Sequence, residues 1–293
     1  LVLPMALQNL INVAVTSADV LMLERVGTEV LSGASLAGQV QFIMTLIFFG
    51  LTSGAAVLTA QYWGKGDTRT IEKVMGIALR FSLIVAAVFF LAAEAVPELI
   101  MRLFTGDEAV VGQGAVYLRI VAPSYLFSSV TMVYLNIMRS VERVVVSMVV
   151  FLISLLANIA LNALFIFGLF GLPAMGIAGA ALATACARLI ELVLVLGYAR
   201  WMKTSPRIHR RVCLRFSDLF VRDPLLFGDF MRYSLPVIAN ELGEPVTYGR
   251  NGTAEPLTIE ASVSDGGTLT YQWYRNNVDS NGGGTAVEGA TEN

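Results

Sequence analysis

Long apolar runs separated by short polar connections occupy the first 200 residues. Six runs, at about 1–23, 35–62, 75–97, 111–138, 144–168 and 174–199, reach the roughly 20 mostly apolar residues that a hydrocarbon core of ~30 Å demands of a crossing helix. The connections carry turn residues, as in Gly64-Lys65-Gly66-Asp67 and Thr105-Gly106-Asp107-Glu108. Backbone polar groups in lipid must be satisfied within the segment, so the runs predict helical hairpins through a membrane. A seventh run, 230–242, has 13 residues and stops short of a span. From Gly243 the period changes to two. Leu257, Ile259, Ala261 and Val263 alternate with polar residues, Asp265-Gly266-Gly267 supplies a turn, and Leu269, Tyr271 and Trp273 alternate again, which predicts strand, turn and strand. The expected fold class is an all-α polytopic membrane protein: a six-helix lobe and the start of a seventh helix, followed by a truncated β fragment.

The seventh run opens as the first does. Leu3-Pro4-Met5-Ala6-Leu7-Gln8-Asn9-Leu10 shares its Leu-Pro start and final Leu with Leu235-Pro236-Val237-Ile238-Ala239-Asn240-Glu241-Leu242. Six spans return the chain to its starting side, so a second copy would run in the direction of the first. Alternating the loops puts Lys65, Arg69, Lys73, Arg139, Arg143, Arg200, Lys203, Arg207, Arg210, Arg211, Arg215 and Arg222 on one side and Arg25 and Arg102 on the other. The positive-inside rule then places the chain's start and the 200–229 loop in the cytoplasm. Four segments follow: a lobe at 1–199, a basic connector at 200–229, the opening of a second lobe at 230–242, and a β fragment of different origin at 243–293.

Composition agrees with the spans, since hydrophobic residues make up 56% of the chain and charged residues 14%, against about 45–50% and about 25% in soluble domains. The net charge of -2 conceals a split, because 243–293 holds seven acids and two bases. Cys186 and Cys213 lie in different settings and imply no disulfide framework. His209, alone among arginines, offers no metal site. Without an initiating Met or a basic leader, residues 1–23 are not read as a signal peptide, and the chain is expected to begin inside a longer protein. No phosphate-binding glycine loop, hydrolase triad or metal cluster appears, so neither an enzyme, a bound cofactor nor a nucleic-acid partner is expected.

Polar residues inside the spans carry the chemistry. Gln8, Asn12, Thr16 and Asp19 fall on one face of the first span, and Ser154, Asn158 and Asn162 step by four along the fifth. Ionisable groups within a membrane face a cavity or a partner. Asp19 reads as functional or as an interfacial acid, and the asparagines as ligands or as interhelical hydrogen-bond glue. Gly176 to Thr184 presents small residues for close helix packing. Arg188 and Glu191, three apart, can pair, and Arg80, Glu94 and Arg119 suit snorkelling. The stripes offer one carboxylate, two amide oxygens, a hydroxyl and a backbone carbonyl, which suit a hard monovalent cation or, at Asp19, a proton.

These residues together resemble the multidrug and toxic compound extrusion (MATE) transporters over about 1–242. Pro4 with Asp19 is similar to the family's first helix, and Ala60-Gln61-Tyr62-Trp63-Gly64-Lys65-Gly66-Asp67 to its second-helix exit. Ala157-Asn158-Ile159-Ala160-Leu161-Asn162 followed by Ile166-Phe167-Gly168 is similar to its fifth helix, and Gly176 to Thr184 to its sixth. The resemblance implies a multi-pass transporter of the bacterial inner membrane, exporting small cationic or amphipathic compounds against inward H+ or Na+ movement through two alternating lobes. It assigns the cation site to Asp19, Asn158, Asn162, Thr184 and the Ala180 carbonyl, with Pro4 bending the first helix and Gln8, Asn12 and Thr16 lining the cavity. Asn162 stands where many members carry aspartate. Ser262 to Tyr274 resembles strands of bacterial immunoglobulin-like surface modules, of which only about half is present. The chain is therefore expected to be an inactive chimera lacking its second lobe; a lipid-linked oligosaccharide flippase and a membrane-anchored adhesin are the alternatives.

Overall fold

Glycine and aspartate in the polar connections act as helix punctuation. The computed structural model describes residues 22–168, 173–205, 211–221 and 223–242, with the pairs 274–275 and 285–286. Helix α1 (Thr28–Lys65) ends at Gly66, whose φ of 79° is the left-handed cap that a side chain would strain. Asp67 then accepts the Thr70 N–H at 3.0 Å and starts α2 (Thr68–Ala95). A short α3 (Pro97–Arg102) precedes α4 (Glu108–Val121), capped by Asp107 accepting the Ala109 N–H at 2.9 Å. Then come α5 (Pro123–Ser140), α6 (Val144–Phe167), α7 (Gly176–Thr204), a 3-10 turn at Phe216–Phe220 and α8 (Pro224–Leu242).

Among the described residues, helices α1, α2, α6 and α7 are each long and apolar enough to cross a membrane, and α4 with α5, bent by 54°, is long and apolar enough as a pair. The run predicted as a single helix over 111–138 is thus broken. Pro123 supplies no N–H and its ring excludes the preceding helical carbonyl, so the chain bends at Ala122. The first predicted span, with Pro4, Gln8, Asn12, Thr16 and Asp19, lies outside the described residues, as do the strands predicted over 257–263 and 269–273. Among the described residues beyond Leu242, β1 (Tyr274–Arg275) pairs antiparallel with β2 (Thr285–Ala286), Tyr274 opposite Ala286. Two residues a side do not make an immunoglobulin-like sheet. The chain divides into one unit at Leu1–Gly243 and another at Glu244–Asn293.

The connector is shorter than the 200–229 loop expected from hydropathy. Helix α7 runs on to Thr204, and α8 begins at Pro224, ahead of its apolar run. Hydropathy marks only the apolar stretch. The helix starts where Pro224 sets φ and Asp223 accepts the Leu226 N–H at 3.3 Å.

Apolar side chains face both ways in this lobe, as they must where lipid replaces water. On α6, Val145, Val149, Ile153 and Leu156 form an exposed stripe, while Ser147, Val150, Ser154 and Asn162 of the same helix are buried. The interior packs in two main clusters, one around Ile71, Met75, Tyr134 and Phe230 and one around Met44, Phe48, Leu118 and Tyr125. Dispersion and steric fit hold such helices together, because burial against lipid yields little hydrophobic gain.

Helix α1 is the common partner, packing on α2, α4, α5 and α8. Its Gly50-Leu51-Thr52-Ser53-Gly54 is a G-x-x-x-G segment, and α8 lies against it. A Cβ on Gly50 would meet the Ile238 backbone N at 2.8 Å, and one on Gly54 the Ser234 backbone N at 2.8 Å. Backbone cannot yield as a flexible side-chain tip can. Gly54→Val is expected to force α8 away and to cost roughly 1–3 kcal/mol by overpacking. Gly38→Val, where a Cβ meets nothing within 4 Å, is expected to be silent. Thermal melting of the two variants in detergent, with cysteine crosslinking between α1 and α8, checks this; equal melting points would contradict it.

Candidate functional site

Two neighbouring helices carry the described members of the predicted cation site. Asn158 and Asn162 are one turn apart on α6, and Asn162 Nδ2 donates to Asn158 Oδ1 at 3.2 Å. Asn162 is buried and Asn158 half-buried. Helix α7 packs antiparallel along α6. At one end a Cβ on Gly179 would lie 2.6 Å from the Phe165 carbonyl oxygen, so only glycine lets the helices approach there. At the other, Ser154 Oγ donates to the Ala187 carbonyl at 3.2 Å.

The arrangement is chemically coherent for a hard cation. Both asparagines offer an amide oxygen and Thr184 a hydroxyl, while the Ala180 carbonyl keeps a second lone pair after its helical bond. Thr184 is half-buried and Ala180 buried. A carboxylate to balance the ion's charge has to come from outside these four residues. Asp19, assigned that role above, lies outside the described residues, as do Pro4, Gln8, Asn12 and Thr16.

One rung below Asn158, the stripe meets charge. Ser154 Oγ also reaches Glu191 Oε2 at 3.4 Å, and Arg188 Nη1 donates to the same oxygen at 2.7 Å. Glu191 is 3% exposed, so the pair expected from the i, i+3 spacing is a buried one.

A second polar cluster was not legible in the sequence. Arg69 holds Asp218 through two parallel bonds, Nη1 to Oδ2 at 2.6 Å and Nη2 to Oδ1 at 2.7 Å, and also reaches Glu72 at 2.8 Å. Arg215 lies 3.3 Å from Glu72, and the Cys213 N–H donates to Glu72 Oε1 at 2.9 Å. Glu72 and Asp218 are both buried, and Gly76 leaves room for the Asp218 backbone. Residues 211–221 are thereby strapped to the start of α2. They fall within the segment read as a basic connector; acids 149 and 141 positions apart from their partners gave no spacing signal. Burial, reinforced by Glu72, pushes the Cys213 thiol above its ordinary range.

The described residues up to Leu242 form a helical membrane lobe with a stripe of polar side chains on α6. The family model MatE matches residues 4–164, and the chain belongs to that family. It is 30% identical over 245 residues to "Probable multidrug resistance protein NorM" of Rhizobium meliloti, covering 80% of this chain and 49% of that protein. It is 26% identical over 266 residues to "Uncharacterized transporter YisQ" of Bacillus subtilis, covering 89% and 55%. The chain thus spans about half the length of these curated relatives. Among solved structures, a MOP superfamily transporter from Pyrococcus furiosus superposes with a TM-score of 0.71 at 21% identity, over 82% of this chain and 51% of that one. An inward-facing multidrug resistance MATE family transporter superposes with a TM-score of 0.66 at 23% identity, over 80% and 50%.

The strap and the α2 cap give two measurable outcomes. Asp218→Ala removes a doubly hydrogen-bonded carboxylate and is expected to cost roughly 1.5–3 kcal/mol and to open residues 211–221 to limited proteolysis; an unchanged digestion rate contradicts the strap. Asp67 is held below its ordinary pKa of 3.8 by bonds from the Thr70 hydroxyl and N–H. A depressed carboxylate contributes stability above its unfolded pKa and loses it as pH falls through the folded one. Acidification below about pH 4 should therefore unprotect the Thr70 amide to hydrogen exchange, and Asp67→Ser should keep the cap while removing that pH dependence.

Proposed function

We propose that the whole protein to which this lobe belongs exports small cationic or amphipathic compounds from the cytoplasm across the inner membrane, driven by inward movement of H+ or Na+. The observation that carries the reading is the Asn162–Asn158 hydrogen bond, a pair of amide groups one turn apart on α6 within a MatE-family lobe. The NorM relatives bear the name multidrug resistance protein, which supports the substrate class. Basic residues gathered in the 65–73, 139–143 and 200–222 connections support a cytoplasmic connector.

In this reading the coupling ion is a second substrate. Asp19 supplies the charge, and Asn158, Asn162, Thr184 and the Ala180 carbonyl supply neutral oxygens. With asparagine at 162, one carboxylate stands against one positive charge, which suits a single H+ or Na+ better than a divalent ion. Pro4 lets the first helix bend as Asp19 loads and releases, while Gln8, Asn12 and Thr16 line its path. Alternating access requires a second lobe to rock against this one.

Asp19→Asn and Asn158→Ala in the full-length transporter are expected to bring ethidium efflux from inverted or whole-cell preparations to background, with the protein still in the membrane. The same variants should abolish acceleration by an imposed H+ or Na+ gradient. Unchanged efflux and unchanged ion dependence would overturn the reading.

A further inference from the structure

Below the cation stripe, α1, α5, α6 and α7 enclose a cavity of about 380 Å³ whose lining includes Gln41, Ser128, Asn136, Arg139, Arg188 and Glu191. Its chemistry differs from that of the proposed coupling site. Among the described residues two guanidiniums and one carboxylate line it, and that carboxylate is already engaged by Arg188 at 2.7 Å and by Ser154 at 3.4 Å. Arg139 is left over: its Nε is buried with no acceptor among the described residues. Ser128, 6% exposed, also has a buried hydroxyl without a partner. Asn136 Nδ2 is spent on the Thr52 hydroxyl at 2.9 Å.

An ionised group within a lobe, unmatched and partly dehydrated, is costly and faces a function or a partner. A sodium ion or proton does not answer this surplus, since the lining charge is already positive. The missing component is an acceptor. Guanidinium groups bind planar or tetrahedral oxyanions through paired N–H bonds, more strongly than neutral donors do. We propose that the cavity binds an oxyanion, a carboxylate or phosphate, held by Arg139 and Arg188. Glu191 acts as the internal competitor that keeps Arg188 satisfied when the anion is away. The anion comes either from an acidic group on an amphipathic compound or from the headgroup of an anionic lipid, the chemistry being shared. This site is separate from Asp19 and its stripe and stands whether or not cation coupling does.

The test is direct binding to the purified 293-residue chain in phosphatidylcholine nanodiscs, read by fluorescence of 1-pyrenebutyrate beside its uncharged methyl ester. The acid is expected to bind at least about tenfold more tightly than the ester, and Arg139→Gln to remove about tenfold, or ~1.4 kcal/mol. Because Arg188→Gln strands Glu191, the paired change Arg188→Gln with Glu191→Gln is measured too, with the same loss expected. Glu191→Gln by itself should tighten binding several-fold by freeing Arg188, a gain that a merely structural ion pair does not produce. Arg119→Gln, whose partner is Glu98 at 3.8 Å, should leave binding unchanged. Nanodiscs containing phosphatidylglycerol separate the sources: if headgroups fill the site, the probe binds more weakly there, and Arg139→Gln removes the difference between the two lipids. Equal binding of acid and ester, or weaker binding in Glu191→Gln, overturns the proposal. Probe binding that survives Asp19→Asn separates this result from the fate of the coupling reading.

Discussion

The absence of water from the hydrocarbon core governs everything else in this lobe. A backbone amide that finds no partner there costs several kcal/mol, so the chain crosses only as helices, and each connection must dispose of the unpaired groups at helix ends. Gly66, Asp67, Asp107 and Gly168 do so with left-handed caps and side-chain acceptors. Among the described residues, the break at Ala122-Pro123 occurs where proline has already removed the N–H that would go unpaired.

The same constraint changes what holds helices together. Leu and Val gain little by leaving lipid for a protein interior, so specificity shifts to small residues and polar contacts. Gly50 and Gly54 let α8 settle on the backbone of α1, and Gly179 does the same for α7 at the end of α6. Polar side chains then act as fixed points: Asn136 on Thr52, Ser147 on the Leu135 carbonyl, Ser154 on Ala187. At the membrane's edge, where water returns, the Arg69, Glu72 and Asp218 strap uses charge at the distances that full desolvation would penalise.

Much of this organisation was readable in one dimension. Hydropathy alone located the crossings now seen as α1, α2, α4 with α5, α6 and α7, because a span is a local property of about 20 residues. Four-residue spacing likewise put Ser154, Asn158 and Asn162 on one stripe, and the three-residue spacing of Arg188 and Glu191 anticipated their ion pair. Hydropathy failed where polarity and structure part company. It read 200–229 as a loop, although Thr204, the 216–220 turn and the first six residues of α8 are ordered by caps and ion pairs. The Gly50-x-x-x-Gly54 signal was present in the sequence and is recognisable by its spacing, but its partner helix was not.

The apolar crossings and the polar stripe of α6 were determined by the sequence itself, since each depends on residues within a few turns of each other. Tertiary structure alone decided which polar groups meet: that Ser154 reaches the Ala187 carbonyl and Glu191, that Asp218 closes on Arg69, and that, among the described residues, Arg139 and Arg188 share a cavity with one carboxylate. Those relations join residues tens of positions apart, and only the close approach that glycine permits between helices brings them within reach.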